Sequence, residues 1–152
     1  MMKRHIALVT VVLLLAAAGA GYSASIGVGA GLDPTGLILF NVTSEVHFGD
    51  VLGMRAELGF STINVEGLML LGGLLFVHQP VEILDPFAGV GIGVAVTKAD
   101  GSSLTVEGAI GTHVALFAPV SAFIDIRYIV RFTAYGINSG PLYEAGLALH
   151  FR

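Results

Sequence analysis

The chain has 152 residues, no cysteine and a formal net charge of −4. That length holds one domain. Without cysteine there is no disulfide framework, thiolate zinc site or cysteine nucleophile, and an acidic balance argues against a nucleic-acid partner, which needs a basic face. Hydrophobic residues make up 55 % and charged residues 12 %, with 21 glycines; soluble domains carry about 25 % charged residues, so lipid is the more natural solvent for this surface.

Residues 1–23 read as a secretory signal peptide and 24–152 as the mature domain. Lys3 and Arg4 form a basic start, an apolar stretch follows over 6–18, and small residues offer cleavage after Ala20 or Ser23. An uncleaved anchor helix is the alternative; the short apolar core, followed at once by a β-pattern, favours the signal. Removing Lys3 and Arg4 leaves five basic against eleven acidic side chains. Beyond this segment the longest apolar run, 67–77, falls short of the roughly 18–20 residues a membrane helix needs. A membrane protein without such helices must be a closed barrel, because only helices and closed barrels satisfy every backbone group inside lipid.

From Ser25 the apolar period becomes two, the signal of a strand. In the first strand Ile26, Val28, Ala30 and Leu32 oppose Gly27, Gly29 and Gly31. After a turn at 33–36, the second sets Phe40, Val42 and Phe48 against Asn41, Thr43, Glu45 and His47. A turn near Gly49-Asp50 leads to the third, where Met54, Ala56, Leu58 and Phe60 oppose Arg55, Glu57 and Gly59. The fourth, over 64–78, is apolar on both faces, so a buried helix competes; Gly72 and Gly73 favour a bent strand or bulge. A longer link spans 79–86. The fifth strand alternates Ala88, Val90, Ile92, Val94 and Val96 with Gly89, Gly91, Gly93 and Ala95. A turn at 98–102 precedes the sixth, with Leu104, Val106, Ile110, Val114 and Leu116 against Thr105, Glu107, Gly111 and His113. Pro119 marks a turn. The seventh sets Ile124, Ile126, Tyr128, Val130 and Phe132 against Asp125, Arg127 and Arg131. The tract 136–141 reads as the last turn, and the eighth strand sets Tyr143, Ala145, Leu147, Leu149 and Phe151 against Glu144, Gly146 and His150.

In strands two, three, six, seven and eight, setting the phase from apolar residues alone places every charged residue on the other face. A soluble barrel also alternates, with its apolar face inward. Here the apolar faces carry no lysine, and the opposite face mixes glycine with a few long charged side chains, which suits a narrow filled interior. The predicted fold is all-β: a closed antiparallel up-and-down transmembrane β-barrel of about eight strands.

Three stretches resemble the small outer-membrane β-barrel proteins of double-membraned bacteria, the OmpA-like and OmpX-like barrels. Met54-Arg55-Ala56-Glu57-Leu58-Gly59-Phe60 is similar to an R-x-E-x-G-[FY] strand. Asp85-Pro86-Phe87-Ala88-Gly89-Val90-Gly91-Ile92-Gly93 is similar to a P-[YF]-x-G-x-G-x-G strand. Residues 143–151 resemble the C-terminal β-signal with its final aromatic, here followed by Arg152. The resemblance implies the outer membrane as location, outer-membrane lipid as surroundings and the barrel-insertion machinery as a partner through the C-terminal strand. It implies no particular activity.

For chemistry the sequence offers little. Gly89, Gly91 and Gly93 recur at period two inside a strand, unlike a phosphate-binding turn. His47, His113 and His150 face the lumen on different strands, His78 sits at a strand end, and no pair has metal-ligand spacing. A lipid-modifying barrel enzyme needs a nucleophile that reaches lipid, and no serine and histidine share an outward face. We therefore expect no enzyme, cofactor or metal. The candidate site is a lumen charge network of Glu45, Arg55, Glu57, Glu107, His113, Asp125, Arg127, Arg131 and Glu144. Placing the turns near Pro119 and between Ile137 and Asn138 makes Arg131 its hub, held between Glu107 and Glu144, with His113 opposite Asp125; a turn at Asp50 sets Glu45 opposite Arg55. With both ends periplasmic, the outward loops are 33–36, 61–63, 98–102 and 136–141, too short for an adhesin or receptor. The expected role is structural, in envelope integrity, with a small-solute pore or transporter and a lipid-modifying enzyme as alternatives.

Overall fold

A computed structural model describes residues 23–61, 68–98 and 101–151; the expected signal peptide lies outside them up to residue 22. Eight strands follow in order: β1 (Ser23–Leu32), β2 (Ile38–Phe48), β3 (Leu52–Ser61), β4 (Leu68–His78), β5 (Leu84–Thr97), β6 (Gly101–Phe117), β7 (Val120–Thr133) and β8 (Gly136–Phe151). Each pairs antiparallel with its neighbour in sequence, and β1 pairs with β8 to close the barrel. Closure removes every sheet edge along the shared length. The start of β1, the end of β8 and the β2–β3, β4–β5 and β6–β7 turns lie at one end, called here the terminal end; the opposite strand ends make up the far end.

The two-residue period becomes an inside and an outside. Val90, Ile92 and Ile110 are 68 %, 67 % and 61 % exposed, whereas Arg55 and Arg127 are 1 % exposed. Apolar side chains cover the outer wall and charged strand residues turn inward, the inverse of a soluble barrel.

Turn chemistry fixes the first hairpin. The Asp33 carboxylate accepts from the Thr35 backbone N–H at 2.9 Å, the Thr35 hydroxyl at 2.7 Å and the Leu37 N–H at 2.9 Å, and Gly36 takes φ +85°. The β2–β3 register sets Glu45 opposite Arg55, as the turn at Asp50 requires.

Five sequence expectations need correction. β4 is a strand paired without a bulge to β3 and β5, so neither a helix nor a bulge occurs at Gly72-Gly73; residues 64–67 lie outside the described residues. Leu84 to Pro86 belong to β5 rather than to a link, and Gly101 and Ser102 to β6 rather than to a turn. The last turn is Ala134-Tyr135, and 136–141 open β8. The β7–β8 register shifts with it, so that Arg131 faces Asn138. The β6–β7 register shifts separately at the turn after Phe117, with an irregularity between Ala115 and Phe117, so that Glu107 faces Ile129, His113 faces Phe123 and Thr105 faces Arg131.

The misread prolines have a common physical reason. Pro141 pairs with Tyr128 on β7, but β1 reaches only Tyr143 on its other side. Pro86 pairs with Thr112 on β6, but β4 reaches only Phe87. Each therefore sits past the end of one neighbour, at a local edge where a missing N–H breaks no ladder.

Candidate functional site

The lumen is filled in three layers. The middle layer is charged. Arg127, on β7, is ion-paired to Glu57 of β3, to Glu144 of β8 at 2.8 Å, to Asp125 of its own strand at 3.3 Å and to Glu107 of β6 at 3.7 Å. Arg55, on β3, is held by Glu45 at 2.5 Å and by Asp125 at 2.8 Å. Asp125 thus joins the two guanidinium groups. The Arg55 guanidinium also lies 4.9 Å from the Phe87 ring centre and 5.5 Å from that of Phe123, a cation–π geometry that suits a weakly hydrated guanidinium. The Asn41 amide donates to Glu144.

Small residues make room for these long side chains. A Cβ added at Gly91 would lie 2.9 Å from the Glu107 Cγ and 2.6 Å from the Gly73 carbonyl oxygen. The period-two glycines therefore serve close approach.

All nine residues of the expected network point inward, but the hub is Arg127, not Arg131. Arg131 lies two inward positions further toward the far end. There it lines a cavity of about 380 Å³ with Leu39, Leu70, Ala95, Thr105 and Leu142. This second layer is mostly apolar, built on the buried cluster Leu39, Leu70, Ala95 and Leu142.

The third layer, at the terminal end, was not foreseen. His47 of β2, His78 of β4, His113 of β6 and His150 of β8 all turn inward there. His113 lies 3.3 Å from Glu45 instead of meeting Asp125, and His47 lies 3.4 Å from the same carboxylate. His78 Nδ1 contacts the Asp85 carboxylate at 3.0 Å. The His47 and His78 rings are 4.5 Å apart, and Phe76 and Phe87 pack beside them. Gly53, between His47 and Phe76 in the ladder, leaves space for the Phe76 ring. His150 Nε2 lies 2.6 Å from the Ser121 hydroxyl. Among the described residues no carboxylate pairs with His150, and Ser121 faces the lumen, so this dyad lacks the third group that orients a nucleophile's base. No sequence spacing reveals this layer, because its members come from different strands. The available signal was positional: one inward histidine near the same end of each even-numbered strand.

No protein-family model matches the chain, and no curated protein does. Solved structures share its fold. The N-terminal β-barrel domain of Pseudomonas aeruginosa OprF superposes with a TM-score of 0.65 at 13 % identity, over 85 % of this chain and 97 % of that one. Neisserial surface protein A gives 0.63 at 13 % identity, over 86 % and 96 %. The outer membrane enzyme PagL gives 0.59 at 15 % identity, over 84 % and 98 %. The fold is therefore that of the small eight-stranded outer-membrane barrels.

Proposed function

We propose that this chain is an integral outer-membrane barrel with a closed lumen and a structural role in the cell envelope. The location rests on the outer wall, whose exposed Ile, Val, Leu and Phe side chains suit hydrocarbon and not water. Outer-membrane lipid is then its main partner, and the aromatic-ended β8 would address the insertion machinery. Export by a signal peptide over 1–23 belongs to the same reading. Among the described residues a nucleic-acid partner finds no basic surface to bind.

The observation that carries the closed lumen is Arg127, 1 % exposed and ion-paired to carboxylates from four strands. An eight-stranded barrel is just wide enough for side chains, and here a guanidinium occupies its centre. Ions would have to displace a cross-linked layer to pass. A catalytic role finds no support in a serine–histidine pair that faces away from lipid and has no acid.

Planar-bilayer recording tests the reading. The purified barrel should insert without conductance steps at moderate voltage. Discrete, reproducible steps would instead establish a pore, and the far-end cavity would be its vestibule.

A further inference from the structure

We infer that His47, His78 and Asp85 form a binding site for a first-row divalent transition-metal ion at the terminal end of the lumen. Their candidate ligand atoms, one from each side chain, all lie within 4.8 Å of one another. A four-coordinate zinc ion with bonds of about 2.0–2.1 Å needs donors about 3.3 Å apart, so side-chain rotation of about 1.5 Å or less completes the approach.

Three further observations point to a cation. First, His78 is 6 % exposed, and its Nε2 has no hydrogen-bond partner among the described residues. A buried ring nitrogen left unmatched is costly, and an ion or its bound water removes that cost. Second, the flanking carboxylates are arranged as in outer shells of metal sites. Glu45 lies 3.4 Å from His47 Nε2 and so can fix that ring while its other nitrogen faces an ion. Third, the adjacent charged layer sets the carboxylates of Glu45, Glu57, Glu107, Asp125 and Glu144 against the guanidinium groups of Arg55 and Arg127. Its Glu45 borders the histidine layer through His47 and His113, which sets a carboxylate beside the proposed ion.

The donor set selects the ion. Two imidazoles and one carboxylate suit zinc, cobalt, nickel or copper; calcium and magnesium prefer oxygen alone. Three protein ligands leave a fourth position for water. The Asp85 side chain is 20 % exposed at the rim, which gives the ion a route in from solvent. A bound ion would tie β2, β4 and β5 together across β3.

The test is a cobalt(II) titration of the full barrel refolded in detergent micelles, followed by its visible ligand-field bands and by displacement with zinc. One ion per chain should bind and zinc should displace it. The double variant H47Q/H78Q should lose binding, D85N should weaken it at least tenfold, and H150Q should leave it unchanged. A band-shift gel verifies folding of each variant, and if H47Q/H78Q does not fold, D85N decides. The inference is overturned if the wild type shows no saturable binding, if D85N or the folded double variant binds as tightly as wild type, or if H150Q abolishes binding.

Discussion

Arg127 and Arg131 lie four positions apart on one strand and one face, yet they occupy different chemical worlds. Arg127 sits among Glu57, Glu107, Asp125 and Glu144; Arg131 lines a largely apolar cavity beside Thr105. Removing one partner of a buried ionic cluster leaves uncompensated charge in a low-dielectric interior, typically at about 3–5 kcal/mol. Arg127→Ala should therefore lower unfolding stability by about that amount, and adding Glu107→Gln should return part of it. Arg131→Ala should cost less than Arg127→Ala, because Arg131 lines a largely apolar cavity whereas Arg127 holds the central carboxylate cluster. Urea titration in micelles or vesicles measures both, and a larger loss for Arg131→Ala would restore the hub that the sequence suggested. Which residues point inward was legible, since the phase of every strand but β4 follows from its apolar members. Which of them meet was not. Diagonal and cross-lumen contacts depend on registers that a two-residue error in a turn centre rearranges.

At the level of elements, the strands were legible because a half-lipid, half-lumen strand alternates, without exception in β3 and over most of β7. β4 resisted because both its faces are apolar: Leu70, Leu74 and Phe76 point inward to the lumen, Met69, Leu71 and Leu75 outward. Gly136 to Pro141 were misread because Gly, Asn, Ser and Pro carry turn chemistry in most contexts. In this barrel the stagger of β1 against β8 leaves that tract a local edge. The same stagger predicts a sharp asymmetry in proline tolerance. Pro141→Ala should fold normally. Ala145→Pro, four residues on and paired to both Ile124 and Ala30, removes a ladder bond from a doubly flanked position and should abolish the folded band on an unboiled gel. Equal folding of the two variants would mean that β8 is not paired on both sides there.

For the whole molecule, the reversal of inside and outside determines where charge is tolerated. Ile126 lies midway along β7, faces outward and is 46 % exposed. Ile126→Arg would place a cation near the bilayer midplane at a cost of about 2–4 kcal/mol. Folding into lipid vesicles should fail or slow markedly, while folding in detergent suffers less. Refolding into vesicles as readily as wild type would show that this wall does not face hydrocarbon.

The strands are also unequal in length. Among the described residues β1 to β4 have 10 or 11, whereas β6 has 17 and β8 has 16. At about 3.3 Å per residue and a tilt of about 40°, a ten-residue strand rises about 25 Å, which matches the apolar band of an outer-membrane barrel, while seventeen residues rise about 43 Å. One side of the cylinder therefore overshoots the hydrocarbon that the other side fits. The overshoot carries apolar residues among its polar ones: Phe117 and Ile137 are 68 % and 66 % exposed near its two ends, beside exposed Ser102 and Ser139. Such a mismatch is relieved by leaning the cylinder or by stretching the adjacent lipid, each at fractions of a kcal/mol per Å. The molecule should lean in thin bilayers and straighten as acyl chains lengthen, a change that oriented-bilayer spectroscopy reads directly. Through its uneven height it would impose a thickness gradient on the surrounding membrane and gather longer-chain lipids along β6 to β8.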